Sequence, residues 1–361
     1  MTKDHSTTQI YSQCLDQTLG IYQTNINHPR IKLQLLNIGA VIQSLWVQDK
    51  NQMWQDIVLG FDDYQDYLKE NDPSLGAVHA VVTNRIAKAQ FTLNDHMYKL
   101  DANESVNALH IGNLKNKVWQ QSIISNDHAQ GIAYHIELED GYGGLPGPMT
   151  ITIEYLILAD GTLQIDYLTQ AADNAVISNL TNHSYFNLNG TTYDKLDQHQ
   201  LALYCNAYLE TDDQLIPTGK VIKAHGAFDF SQSKLLTDSL LQNDKKLRHD
   251  KGYDVFYVLP QYNAKAPKYQ LCAKLTSKTT GIHMQLLTTY PGLQLYSANF
   301  LSDCKGKYDE IYQPHCTVCL ETHDYPDAPN HAHFPSIITP AHHLRKYSSR
   351  YVFSVEDNMN E

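Results

Sequence analysis

Short alternating runs punctuated by turn residues constrain this chain more than any other feature. Ile151, Ile153, Tyr155 and Ile157 alternate with Thr152, Glu154 and Leu156; after an Asp160-Gly161 turn, Leu163, Ile165 and Tyr167 alternate with Gln164 and Asp166. Strands send successive side chains to opposite faces, so this period of two predicts a β-hairpin with one buried face. The same pattern predicts strands over residues 31–35, 91–93 turning through Asn94-Asp95 into 97–100, 132–138, 175–180, 270–275, 282–288 and 293–296. Helical periodicity is confined to residues 63–69 and 233–241, with no β-α-β rhythm to build a parallel sheet. The expectation is an all-β fold, a large antiparallel β-sandwich with few short helices. No repeat, low-complexity segment or Pro/Gly/Ser-rich linker divides it, so residues 1–361 read as a single domain.

Charge narrows the partners. With 27 Lys+Arg against 39 Asp+Glu the net charge is −12, and the basic residues form no stripe to neutralise a phosphate backbone, which argues against nucleic acid. Residues 1–9 are polar without a signal-type apolar core, and no run approaches the roughly 18 apolar residues of a membrane helix. A cytoplasmic protein with no membrane partner is expected. The Gly-rich stretch Gly141-Tyr142-Gly143-Gly144 lacks the G-x-G-x-x-G spacing and runs into a strand, so it reads as a loop rather than a phosphate cradle.

Six cysteines in 361 residues are too sparse for a disulfide scaffold. Cys316-Thr317-Val318-Cys319 lies in an extended stretch, where alternation is expected to send the two thiols to opposite faces. His331-Ala332-His333 and His342-His343 lack the i, i+4 spacing of a helical metal pair and read as loop histidines. Neither metal nor cofactor is expected.

Two segments carry chemistry. Asn182-His183-Ser184-Tyr185-Phe186-Asn187-Leu188 concentrates an imidazole, amides, a hydroxyl and aromatic rings. Aromatic faces cover the C–H face of a pyranose, and amides and imidazole answer its hydroxyls. Near the C-terminus, Glu321 ends an apolar run before a loop rich in Pro and Asp; burial there raises a carboxyl toward useful base strength.

Those two segments belong to a longer ordered set: Asp56–Asp62 with Tyr67, Asn84-Arg85-Ile86-Ala87, Asn107-Ala108-Leu109-His110-Ile111-Gly112 with Trp119, Asn182–Leu188, Leu215–Gly219, Phe228-Asp229-Phe230, Gly252-Tyr253-Asp254, Pro291–Gln294 and Leu320-Glu321-Thr322. In this order and over residues 10–353 the chain resembles the aldose 1-epimerase (galactose mutarotase) family. The resemblance implies that Glu321 is the general base and His183 the general acid. It implies that Asn84, Arg85, His110, Asp254 and Gln294 hold sugar hydroxyls. It further implies conversion between the α and β anomers of free aldohexoses such as galactose and glucose, without metal or organic cofactor, by a monomer or homodimer. A disaccharide 1-epimerase acting on maltose and a non-catalytic sugar-binding relative are the alternatives; a glycosidase would need a second site carboxylate. The sequence departs from the family pattern at Ala80-Val81, Ile111 and Val255, which bears on the shape of the pocket rim and so on which sugar fits.

Overall fold

The computed structural model describes residues 8–69, 73–191, 196–240 and 242–355. Met1–Thr7 of the polar N-terminus and Leu241 of the second expected helix lie outside them.

The alternating runs form the expected strands. The hairpin pairs Met149–Leu158 with Leu163–Ala171, and Gln90–Leu93 turns back as His96–Lys99. Two large antiparallel sheets dominate. The nine-stranded sheet runs, in spatial order, Gln120–Ser125, Ala129–Leu138, Met149–Leu158, Leu163–Ala171, Leu344–Val355, Ile282–Thr288, Gln270–Ser277, His199–Leu203 and Lys234–Leu235. The six-stranded sheet runs Tyr185–Phe186, Val318–His323, Gly292–Tyr296, Asp254–Val258, Ala207–Thr211 and Pro217–Lys223. They pack face to face as a sandwich. Phe186 meets Tyr351 at 5.7 Å between ring centroids, and Thr322 Oγ1 lies 2.6 Å from Ser349 Oγ.

That packing fixes the faces of Val318–His323. Val318, Leu320 and Thr322 turn toward the nine-stranded sheet, so by alternation Cys319, Glu321 and His323 turn to the other side. Burying the Leu320 side chain contributes about 1.5–3 kcal/mol. Pro326 lies just beyond the strand and has no N–H to continue the ladder.

The outer face of the six-stranded sheet is not left in water. A five-stranded meander, Gln9–Asp16, Ile21–His28, Ile31–Leu36, Val41–Gln48 and Trp54–Asp56, shares an apolar cluster with it that includes Ile21, Leu36, Val41, Tyr185 and Cys319. Buried Lys307 pins a loop onto this meander: its Nζ lies 2.6 Å from Asp56 and 2.8–2.9 Å from Ser44 and the carbonyls of Gln43 and Val58.

The helical expectations are met only in part. Residues 63–69 form a single 3-10 turn, Tyr64–Leu68, capped by Asp63 accepting the Gln65 N–H at 2.9 Å. Residues 233–241 hold the two-residue strand Lys234–Leu235 and the short helix Leu236–Leu240. A second short helix, Lys245–His249, starts at Asp244, whose side chain accepts from the Lys246 N–H at 2.7 Å. Residues 175–180 keep only Val176–Ile177 as strand, paired with Ile338–Thr339; the chain then crosses to the ribbon Val82–Ile86, where Asn179 donates to the Val81 carbonyl at 2.9 Å and accepts from the Thr83 N–H at 2.7 Å. Among the described residues, no helix is long and apolar enough to cross a membrane.

Candidate active site

Sheet register assembles the first half of the site. Glu321 pairs with Gln294, and Gln294 with Phe256; one row along, Tyr185 pairs with Cys319, Cys319 with Tyr296, and Tyr296 with Asp254. Directly opposed residues share a face, so Glu321, Gln294, Tyr185, Tyr296 and Asp254 project together from the side away from the core. The second half comes from short ribbons laid over that face. His183 follows Thr181–Asn182, which pairs with Val78–His79, and its backbone bonds Ala77 and Gly76 at 2.8 and 3.0 Å. Val82–Ile86 carries Asn84 and Arg85 and pairs with Ala108–Ile111, where a register shift between Leu109 and Ile111 marks a bulge at His110. All seven residues expected at the site line one cavity of about 250 Å³.

At its floor, Glu321 Oε1 stands 3.5 Å from His183 Nε2, both side chains less than a tenth exposed. Burial pushes the Glu321 carboxyl well above the ordinary carboxylate range, with Asp254 adding to the rise. The same burial pulls the His183 imidazole down to about 4. Desolvation penalises whichever form is charged, so it moves an acid and a base in opposite directions.

A polar chain surrounds the pair. Asn84 donates to Gln294 Oε1 at 3.3 Å, Gln294 donates to Asp254, and Arg85 approaches Asp254 at 3.8 Å. Arg85 also grips Glu104 through two parallel bonds of 2.7 Å, so its ion-pair role and its place in the cavity coexist. Burial raises the Asp254 carboxyl, and Arg85 opposes that rise. The Asn84 N–H donates to His110 Nδ1 at 3.3 Å, which leaves the His110 proton on Nε2 as a hydrogen-bond donor.

Cys319 departs from the expectation. The strand begins only at Val318, so alternation does not reach Cys316, and both thiols are buried in the same apolar cluster. Cys319 Sγ lies 3.7 Å from His183 Nδ1, and donor atoms of His183, Cys319 and Glu321 all lie within 4.8 Å of one another. The thiol and the carboxylate approach opposite ring nitrogens, however, and one ion cannot bond both nitrogens of one imidazole. The loop pairs His331/His333 and His342/His343 join no such cluster among the described residues.

Comparison with known proteins gives this geometry its context. The sequence model of the family described as aldose 1-epimerase matches residues 22–352. Galactose mutarotase from Sus scrofa is 34% identical over 330 residues, covering 90% of this chain and 92% of its own length. The chain belongs to the aldose 1-epimerase family. Galactose mutarotase from Homo sapiens is 33% identical over 329 residues, with 90% and 92% coverage. Aldose 1-epimerase from Escherichia coli K12 is 29% identical over 312 residues, with 86% and 87% coverage. Among solved structures, an aldose epimerase homologue from C. elegans superposes with a TM-score of 0.78 at 26% identity, over 97% of this chain and 99% of that one.

Within this family member, the departures noted in the sequence sit behind the site rather than on its rim. Ala80, Val81, Ile111 and Val255 are all buried in the main core, and none lines the cavity. Val255 follows Asp254 in a strand, so it faces the opposite way. Sequence reasoning passed over His79, Glu104, Tyr296 and Phe300, which also line the cavity. Tyr296 was recoverable, since it lies two residues beyond Gln294 and shares its face. Glu104 and Phe300 sit in loops that no periodicity marks.

Proposed function

We propose that this chain is an aldose mutarotase in which Glu321 and His183 exchange one proton through the sugar. Glu321 takes the proton from O1–H as the C1–O5 bond breaks, and His183 delivers a proton to O5, giving the open-chain aldehyde. Rotation about C1–C2 presents the other carbonyl face. O5 then attacks C1, its proton returns to His183, and Glu321 protonates O1, which restores both groups.

The observation that carries this reading is the 3.5 Å contact between Glu321 and His183 at the cavity floor. O1 and O5 are bonded to the same carbon, so the acid and the base must converge on atoms one carbon apart. Asn84, Arg85, His110, Asp254 and Gln294 surround that point with donors and acceptors for the remaining hydroxyls. A cavity of about 250 Å³ favours a free hexose, galactose or glucose, over a disaccharide.

All seven residues come from one chain, so a monomer or homodimer suffices. The core that joins the two large sheets supports reading the chain as one domain. Six free cysteines fit a reducing cytoplasm, and the net charge of −12 fits a partner list without nucleic acid or membrane.

Polarimetry tests the proposal. Freshly dissolved α-galactose and α-glucose should relax to anomeric equilibrium faster with the protein than without it, and maltose should be accelerated less. Relaxation at the spontaneous rate for every sugar would make the chain a non-catalytic sugar binder.

A further inference from the structure

The mechanism leaves His79 without a task, although it is buried against two histidines that have one. We infer that His79 is a positioning residue that holds the His110 ring in its cavity-facing orientation; its kinetic consequence rests on reading His110 as a sugar contact. Three observations carry this.

His110 needs holding. It sits at a bulge with φ of 51°, the left-handed region, where a residue with a Cβ is strained. Such a conformation re-aims a side chain, and it persists only where the surroundings over-determine it. The Asn84 N–H at 3.3 Å fixes one edge of the ring but not its plane.

His79 supplies the plane. The two imidazoles stack with centroids 3.7 Å apart and 18° between planes. Among the described residues the ring contacts of His110 are with His79 and, at 6.2 Å, His183. Burial keeps both stacked rings well below the ordinary histidine range, so two neutral rings face one another rather than two cations.

His79 is itself referenced to the proposed acid. It pairs with Thr181, two residues before His183, and its ring meets His183 edge-on at 4.9 Å and 73°. The stack therefore sets the spacing between the hydroxyl-binding imidazole and the proton-donating one. His79 was invisible in the sequence because a single histidine in a two-residue strand has no periodicity to mark it.

The experiment uses His79→Ala, His79→Phe, His110→Ala and the His79→Ala/His110→Ala double variant, with KM and kcat from polarimetry on α-galactose and the His110 ring signals from NMR. Alanine removes the stack and should raise KM roughly ten- to a hundredfold, with a smaller change in kcat. It should also shift the His110 signals as the ring current of its neighbour disappears. Phenylalanine keeps a flat ring but no nitrogen and should return KM toward wild type. The double variant should bind no worse than His110→Ala, because the first change acts only through the second.

Unmoved His110 signals in His79→Ala overturn the inference. So does an unchanged KM there while His110→Ala raises it. Phenylalanine behaving like alanine also overturns it, since it would mean that His79 bonds the sugar directly. If His110→Ala leaves KM untouched, the sugar-contact reading falls instead, and the ring signals alone decide the role of His79.

Discussion

Replacing Glu321 by glutamine keeps the shape of a buried side chain and removes only its ability to take a proton. A general acid or base contributes about 10²–10⁴-fold, which is about 3–5 kcal/mol of barrier at 1.36 kcal/mol per tenfold. The surroundings place Glu321→Gln toward the upper end. Asp254 also lines the cavity, but it is held by Gln294 and Arg85 and stands on the Tyr296 row rather than at the His183 contact. Folding should respond in the opposite sense. The wild-type carboxyl is buried and penalised for its charge, and the amide is not, so the thermal midpoint should stay or rise. Polarimetry on α-galactose and a thermal melt give both numbers from one preparation. Combining Glu321→Gln with His183→Asn should cost little beyond the worse single variant, because a proton exchange that has lost one end gains nothing from the other. A Glu321→Gln enzyme that keeps more than about a tenth of wild-type kcat, against the ~10²-fold minimum for a lost base, would refute the assignment, whatever the melt shows.

Leu320 should give the mirror image of its neighbour: it is 1% exposed on the core face, so Leu320→Ala should lose about 2–5 kcal/mol of stability while the folded fraction turns over normally. The pH profile of kcat should be a broad plateau. The active pair carries one proton, the second must enter His183, which burial holds to about 4, and the last leaves Glu321, which burial raises; the rate therefore falls below about pH 4 and again only well above the ordinary carboxylate range, and an acid limb near pH 6.5 instead of 4 would contradict the burial argument. Tyr185→Ala should narrow that plateau from both sides, because Tyr185 packs 4.8 Å from His183 and its loss admits water to the pair; unchanged limbs would mean that this ring does not keep the site dry. Arg85→Lys keeps the charge but not the fork that holds Glu104 while facing Asp254, so KM for galactose should rise with less effect on kcat; an unchanged KM would leave Arg85 a purely structural ion-pair partner.

The fold was legible because its signal is local. Residues 149–155 alternate between buried and partly exposed side chains, which marks one buried face. The helical expectations over 63–69 and 233–241 were met only by short helices, Tyr64–Leu68 started by the Asp63 cap and Leu236–Leu240 shortened where Lys234–Leu235 pairs with a strand instead. The site was legible as a set of residues but not as an arrangement. Nothing in the order of residues says that Glu321 lies beside Gln294, that Cys319 backs His183, or that His79 stacks on His110. Those facts come from sheet register and from the pairing of ribbons, Val78–His79 with Thr181–Asn182 and Val82–Ile86 with Ala108–Ile111. The thiols mislead for a similar reason: the alternation argument assumed that the strand included Cys316, and it does not.

Burial is the largest cause of the tuning of the proposed catalytic pair, with Asp254 adding to the rise of Glu321 and Lys115 to the fall of His183. In water, imidazole at about 6.5 and carboxyl at about 4.3 favour the ion pair over the two neutral groups by about 3 kcal/mol. Ring opening must cross that gap, because it moves one proton from His183 to Glu321 through the sugar. Removing water penalises the ion pair and leaves the neutral state nearly untouched, so a dry cavity moves both groups at once toward the neutral pair. A reversible enzyme needs the two proton placements close in energy, since either anomer must enter and either must leave. The five-stranded meander over the outer face of the six-stranded sheet thus has a chemical consequence as well as a structural one: the cluster it shares with Tyr185 and Cys319 backs His183 and keeps that side of the pair dry.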